Sequence, residues 1–198
     1  MAIRDMQQLK RLGRYGAAIG LEPGEETADY FCTPVGAAVL GWDNDIHYCV
    51  LEQFGDMVFC VNPESCGEQY VYPLASSTED FLRLLLATKH TNVMQQILWW
   101  DRAQYEAFLR APDTVAYAAS PAVVEALSLL RDEWGIVPME DPFGYIKALQ
   151  GSFPYEKIPF SRAYYDTLGL ARPDGTQPEE PEDAAETVAF CIEKQETR

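Results

Sequence analysis

The residues with the most chemical capacity in this chain are His47, Cys49, Cys60 and Cys66. Imidazole nitrogen and thiolate sulfur are the ligands of zinc and the working groups of nucleophilic catalysis. His47 and Cys49 are two apart, so on a strand they share one face, and the other two cysteines fall on or just after the next strand. The spacing argues against a metal. Structural zinc sites bring ligands in pairs two to four residues apart, usually in a knuckle, and here only His47 and Cys49 are close. A free cysteine also serves commonly as a small buried hydrophobe. A Cys–His nucleophile needs a base within reach of the thiol, and the sequence offers only His47 and His90, the latter expected near a helix end.

The carboxylates fit other chemistries no better. Glu25 with Glu26 and Asp43 with Asp45 lie in turn-forming segments, where neighbouring acids are normally solvated rather than arranged for glycoside cleavage. A calcium loop starting at Asp43 would need Gly at its sixth position and Glu at its twelfth, and the chain has Tyr48 and Phe54 there. No GxxxxGK[ST] loop, GxGxxG fingerprint, GxSxG elbow or HExxH helix occurs. The expectation is therefore a non-enzymatic protein with no catalytic residue, metal or cofactor site.

The elements that position these residues read as a helix, a run of short strands, then several helices. Met6, Leu9, Leu12, Tyr15 and Ile19 recur at helical spacing from Met1 to Ile19. From Tyr30 to Leu74 the texture is β-rich: Tyr30 to Thr33, Ala37 to Trp42, Ile46 to Leu51, Met57 to Val61 and Gln69 to Leu74 are separated by turn residues such as Asp43-Asn44-Asp45 and Asn62-Pro63. Ser77 then caps an apolar helix through Leu86. A second helix is expected from Val93 to Trp100, and Asp101 with Gln104 forms a capping box for a third. Ser120-Pro121 opens a helix that Gly135 ends, Asp141-Pro142 opens another, and Ser161 a last one that stops near Gly169. Trp99 and Trp100 point about 100° apart on a helix, so either one is exposed as an interface anchor or both are buried between two layers.

Strands too closely spaced for crossover helices exclude a doubly wound fold. The fold class expected is α+β, an antiparallel meander with helices packed on one face of the sheet. At 198 residues, residues 1–170 are read as one domain and 171–198 as an acidic, Pro- and Glu-rich tail, mobile from Arg172 to Asp183 and apolar enough to dock at Thr187 to Ile192.

Net charge is −16, and its distribution is uneven. Between Leu21 and Asp80 there are twelve acidic residues and no Lys or Arg. Such a surface repels phosphate backbones and anionic lipids and attracts cations, so neither nucleic acid nor membrane is an expected partner. The charged start at Arg4, Lys10, Arg11 and Arg14 lacks the apolar middle of a secretory signal, and five cysteines without a CxxC pair fit a reducing cytoplasm.

The block from Trp42 to Leu86 carries a family likeness. Its strands IHYCVLE, GDMVFCVNP and YVYPLA hand over through Ala75 and Ser76 to a helix, STEDFLRLLLA, that opens with Glu79, Asp80, Phe81 and Leu82. This resembles the SUKH superfamily, which includes bacterial immunity proteins and regulators of fungal cell-wall assembly and glucan synthesis. The N-terminal helix and the helices after Ala111 depart from the family pattern. The resemblance implies a cytoplasmic protein that binds and neutralises a toxin domain, often a basic nuclease. Asp43, Asp45, Glu52, Asp56, Glu64 and Glu68 are then the candidate partner-binding residues. A regulatory scaffold for a non-toxin protein and a cysteine- or metal-dependent enzyme are the alternatives.

Overall fold

The structure is a computed structural model that describes residues 12–65 and 69–176, apart from the side chain of Arg14. The expected N-terminal helix falls largely outside these residues. Its described end, Gly13–Ile19, is a 3-10 helix that stops at Gly20, whose φ of 70° is the left-handed conformation glycine tolerates.

Four strands follow: β1 (Ala37–Asp43), β2 (Ile46–Leu51), β3 (Val58–Val61) and β4 (Val71–Ala75). They form one antiparallel sheet in chain order, the meander that the closely spaced turns require. β4 carries Pro73 and lies at the sheet's edge, where a missing N–H breaks no ladder. At the other edge β1 is bulged between Val39 and Gly41 and bridged through Trp42 to Glu22. Gly41 permits this crossing, because a Cβ there would sit 2.6 Å from Leu21 Cδ1 and 3.2 Å from the Glu22 carbonyl oxygen.

Seven α-helices complete the described chain: α1 (Thr78–Thr88), α2 (Thr91–Gln96), α3 (Arg102–Arg110), α4 (Pro112–Ala118), α5 (Pro121–Ser128), α6 (Pro142–Ser152) and α7 (Arg162–Leu168). The start signals read from sequence operate at three of them. Ser77 Oγ accepts the Asp80 N–H at 3.0 Å. Asp101 and Gln104 close the capping box at 2.8 and 2.9 Å. Asp141 accepts the Gly144 N–H at 3.1 Å. Ser120 sits at the cap of α5 without a side-chain hydrogen bond, and Pro121 alone marks that start. The same helix leaves α geometry at Ser128 and continues as a π-turn, Leu129–Glu133, before Gly135.

The main core lies between one sheet face and the helices, with Tyr48, Val50, Cys60, Tyr72 and Leu74 meeting Phe81, Leu84, Leu85, Met94 and Ile97. The opposite face is covered as well. Val39, Cys49, Leu51, Phe59, Val61 and Val71 pack there under Cys32, Ile158 and the aromatic rings of Phe31, Phe153, Phe160 and Tyr164. This covering explains a difference from expectation. Tyr30 to Thr33 is a turn, closed by the Thr33 N–H to the Tyr30 carbonyl at 2.9 Å, and not a strand. Pro34 follows it and can donate to no ladder, so Cys32 is free to point down onto the sheet. α4 was also not foreseen, and none of its residues is buried.

Burial decides which contacts matter most for stability. Leu84→Ala, which empties a fully enclosed site on α1, is expected to cost about 2–5 kcal/mol, against about 1 kcal/mol for loss of the Ser77 cap in Ser77→Ala. Urea unfolding followed by tryptophan fluorescence measures both, and equal losses would remove α1 from the core.

Candidate functional site

The sheet separates the residues that metal or thiol chemistry would have to bring together. Cys49 pairs across the ladder with Phe59, and Cys60 with Tyr48. Alternation therefore puts Cys49 with His47 on the coil-covered face and Cys60 on the helix face. Cys66 lies outside the described residues, and among those described no three His, Cys, Asp or Glu side chains cluster as metal ligands. Burial also deactivates the thiols. Loss of hydration pushes Cys32 up to about 11 and Cys49 up to about 12, and raises Cys60 further still.

His47 is fully enclosed, flanked by the rings of Tyr30 at 5.8 Å and Trp42 at 5.0 Å. Its Nδ1 is 3.4 Å from the Asp45 carbonyl, which can only accept, so Nδ1 carries the proton; Nε2 then accepts from the Thr33 hydroxyl at 3.2 Å. The neutral ring is satisfied on both sides, and burial lowers its pKa. His90 is likewise structural: it caps α2, with Nδ1 accepting the Asn92 N–H at 3.0 Å. Burial lowers its pKa too, partly offset by the charge of Asp43.

The candidate partner-binding carboxylates divide between the two ends of the sheet. Asp43 and Asp45 flank the β1–β2 turn, and Glu64 lies in the β3–β4 connection at the same end. Glu52 and Asp56 belong to the β2–β3 turn at the other end, about 20 Å away along six strand residues. Glu68 lies outside the described residues. Asp45, Glu52, Asp56 and Glu64 are exposed. Asp45 also accepts the Tyr30 hydroxyl at 2.7 Å.

Asp43 differs from the other four. Its Oδ2 accepts from Gln95 Nε2 at 3.2 Å and lies 3.2 Å from the Thr91 hydroxyl, which also reaches the Gly20 carbonyl at 2.7 Å. Gln95 bonds the buried Tyr48 hydroxyl in turn. Asp43 is thus half-buried and ties β1 to α2 and to the entry loop.

Two clefts lie on the helix side. One, of about 410 Å³, is walled mainly by Val93, Phe108, Tyr117 and Ala118 and carries Lys89 and His90. The other, of about 400 Å³, lies between Asp56, the first turn of α1 and the stretch 134–136, with Thr78, Glu79, Leu82 and Trp134 in its wall. The helix expected to reach Trp100 stops at Gln96, so Trp99 and Trp100 lie just past its end: Trp99 is 50% exposed, and Trp100 turns inward against Phe108, ring to ring at 4.8 Å. Compared with protein-family models, curated proteins and solved structures, the chain has no significant match.

Two outcomes follow from these environments. Native protein treated with iodoacetamide at pH 8 is expected to leave Cys49 and Cys60 unlabelled until denaturant is added, read by peptide mass spectrometry; rapid native labelling at Cys49 would contradict its enclosure. The histidines set a pH dependence. Both fold with pKa below the ordinary 6.5, so the unfolded chain takes up these protons first. Their contribution to stability is complete above about pH 6.5 and falls as pH drops towards 5. Urea midpoints over pH 7 to 5 should decline for the native sequence and decline less for His47→Gln.

Proposed function

We propose that this chain is a non-enzymatic binding protein for a basic protein partner, acting as an immunity protein that neutralises a cationic toxin domain in the cytoplasm of the producing cell. The observation that carries this reading is how the arginines are used. Arg102 pairs with Asp141, Arg110 with Glu106, Arg131 with Asp132, and Arg162 and Arg172 with Asp166. These guanidiniums compensate carboxylates outside the segment from Leu21 to Asp80, and among the described ion pairs only Arg83, on Asp80, reaches into it. The segment from Leu21 to Asp80 holds twelve acids and no base, so its net charge is strongly negative, and both sheet ends present exposed carboxylates to solvent.

A cationic cleft built to hold phosphates is the natural complement of such a surface, and carboxylates can occupy it in place of nucleic acid. The order of elements supports the SUKH reading. IHYCVLE covers β2, GDMVFCVNP contains β3, YVYPLA is β4 with one residue before it, and the Ser76–Ser77 junction delivers the chain to α1. Cys32, Cys49 and Cys60 are free thiols, in keeping with a reducing compartment, and no helix among the described residues is long and apolar enough to cross a membrane.

The test is surface plasmon resonance against the toxin domain encoded by the adjacent gene, at low and high salt. Association should be fast at low salt, slow by at least about tenfold in 0.5 M NaCl, and slow similarly in the double variant Asp45→Lys/Glu52→Lys. That variant leaves Asp43 and its buried contacts untouched, so its melting temperature should stay close to the parent's. An association rate indifferent to both salt and charge reversal would remove the electrostatic reading.

A further inference from the structure

We infer that the cleft between the β2–β3 turn, the first turn of α1 and Trp134 is the seat of an arginine side chain of the basic partner. This inference rests on the proposed binding of a basic protein and assigns it a contact point. The cleft of about 400 Å³ carries the carboxylates of Asp56 and Glu79, and none of its lining residues is basic. The other cleft of similar volume, at the far end of α1, carries Lys89 and His90 beside Asp113 and lacks that selectivity for cations.

Within α1 the two first-turn acids are used differently. Asp80 is engaged by Ser76 at 2.8 Å, Tyr145 at 3.0 Å and Arg83 at 3.0 Å. Glu79 is exposed, and among the described residues no ion pair engages it. The positive end of a helix opposes a bound cation, and with Asp80 already paired to Arg83 it is the Glu79 carboxylate in the first turn that offsets that sign.

Thr78 supplies the independent observation. It lines the cleft, is only 3% exposed, and its hydroxyl finds no hydrogen-bond partner among the described residues. Buried hydroxyls are nearly always paired, and of the three buried polar groups without a partner among the described residues, on Tyr72, Thr78 and Gln150, only that of Thr78 belongs to a residue lining a cleft. The remaining wall is apolar: Leu82, Ile136 and the indole of Trp134. A long side chain with an apolar stem, a planar cationic head and five N–H donors matches an apolar wall, an aromatic face and a rim of carboxylates. Lysine lacks the planar head that stacks on indole while bonding carboxylates in its plane.

The experiment titrates the full-length, 15N-labelled chain with N-acetyl-arginine amide at low salt and, separately, with N-acetyl-citrulline amide, its neutral near-isostere. The expected result is a saturable shift of the Trp134 indole N–H and of the Thr78 and Gly135 amides with arginine only. The apparent affinity should weaken at least fivefold in Asp56→Asn/Glu79→Gln, both exposed positions. Equal shifts with citrulline, shifts spread over the Asp45 and Glu64 turns, or an affinity unchanged in the variant would overturn the site. Failure of the broader reading looks different. Arginine titrating as described while the toxin domain fails to bind at any salt would retain the arginine site and remove the immunity role. Salt-sensitive toxin binding that ignores Asp56→Asn/Glu79→Gln, with no arginine titration, would do the reverse.

Discussion

The sheet is buried on both faces, and most of the molecule's layout is a consequence. Every residue of β3 and β4 is buried, as are five of six in β2. An antiparallel sheet of four strands normally leaves one side to water and shows it as alternating polar residues. Here β3 reads VFCV and β4 reads VYPLA, so a second covering is obligatory. Helices supply the first cover, and Cys32, Ile158 and the aromatic rings of two irregular segments and of α7 supply the second. With both faces closed, charged side chains of the central strands' turns have only the two ends of the sheet available to them. The acidic surface is therefore polar by construction: two charged ends about 20 Å apart, separated by a dry interior.

The same closure explains why one of the turn acids is not a surface group. Where the chain enters the sheet, the segment Gly20 to Glu22 must pass close over β1, which Gly41 and its bulge permit. This brings the Gly20 carbonyl, Thr91 and Gln95 around the end of β1. Asp43 is the acceptor that Gln95 meets there. Removing its charge would leave Gln95 and Thr91 short of a partner in a half-buried setting, where an unmet polar group costs more than the bond itself gains. Asp45, two residues on, has no such duty beyond the Tyr30 hydroxyl.

Much of the fold was legible because local chemistry and tertiary structure agree. Asn44 takes a φ of 54° in the β1–β2 turn, as an Asp-Asn-Asp turn allows, and the caps at Ser77, Asp101 and Asp141 bond as their spacing predicts. What escaped was decided by non-local packing. Tyr30 to Thr33 has strand-like composition, but its apolar side chains are spent on covering the sheet's second face. α4 buries nothing and so shows no apolar stripe to read. The candidate site was half legible. Composition identified the carboxylates, yet their division between two ends depends on strand order, and the internal role of Asp43 depends on α2 returning to β1. Thr78 looked like one more residue of a helix start, and only its enclosure without a partner singles it out.

Charge at both ends of the sheet and a cleft at one end do different physical work. Exposed carboxylates act over about a Debye length, roughly 8–10 Å in physiological salt, and bias the approach of a cation without holding it. Glu52 and Asp56 extend that field around the cleft mouth, whereas Asp45 and Glu64 act from the far end. Retention requires desolvated contact, which turn carboxylates in open water cannot supply at their weak effective coupling. In the arginine seat proposed above, Trp134, Leu82 and Ile136 would displace water from one side of a charge placed beside Glu79, which would then interact in a lower dielectric than on the open surface. For a basic partner of the kind proposed, steering by the whole surface and anchoring at a single end would be separable, the first governing association rate and the second dissociation rate.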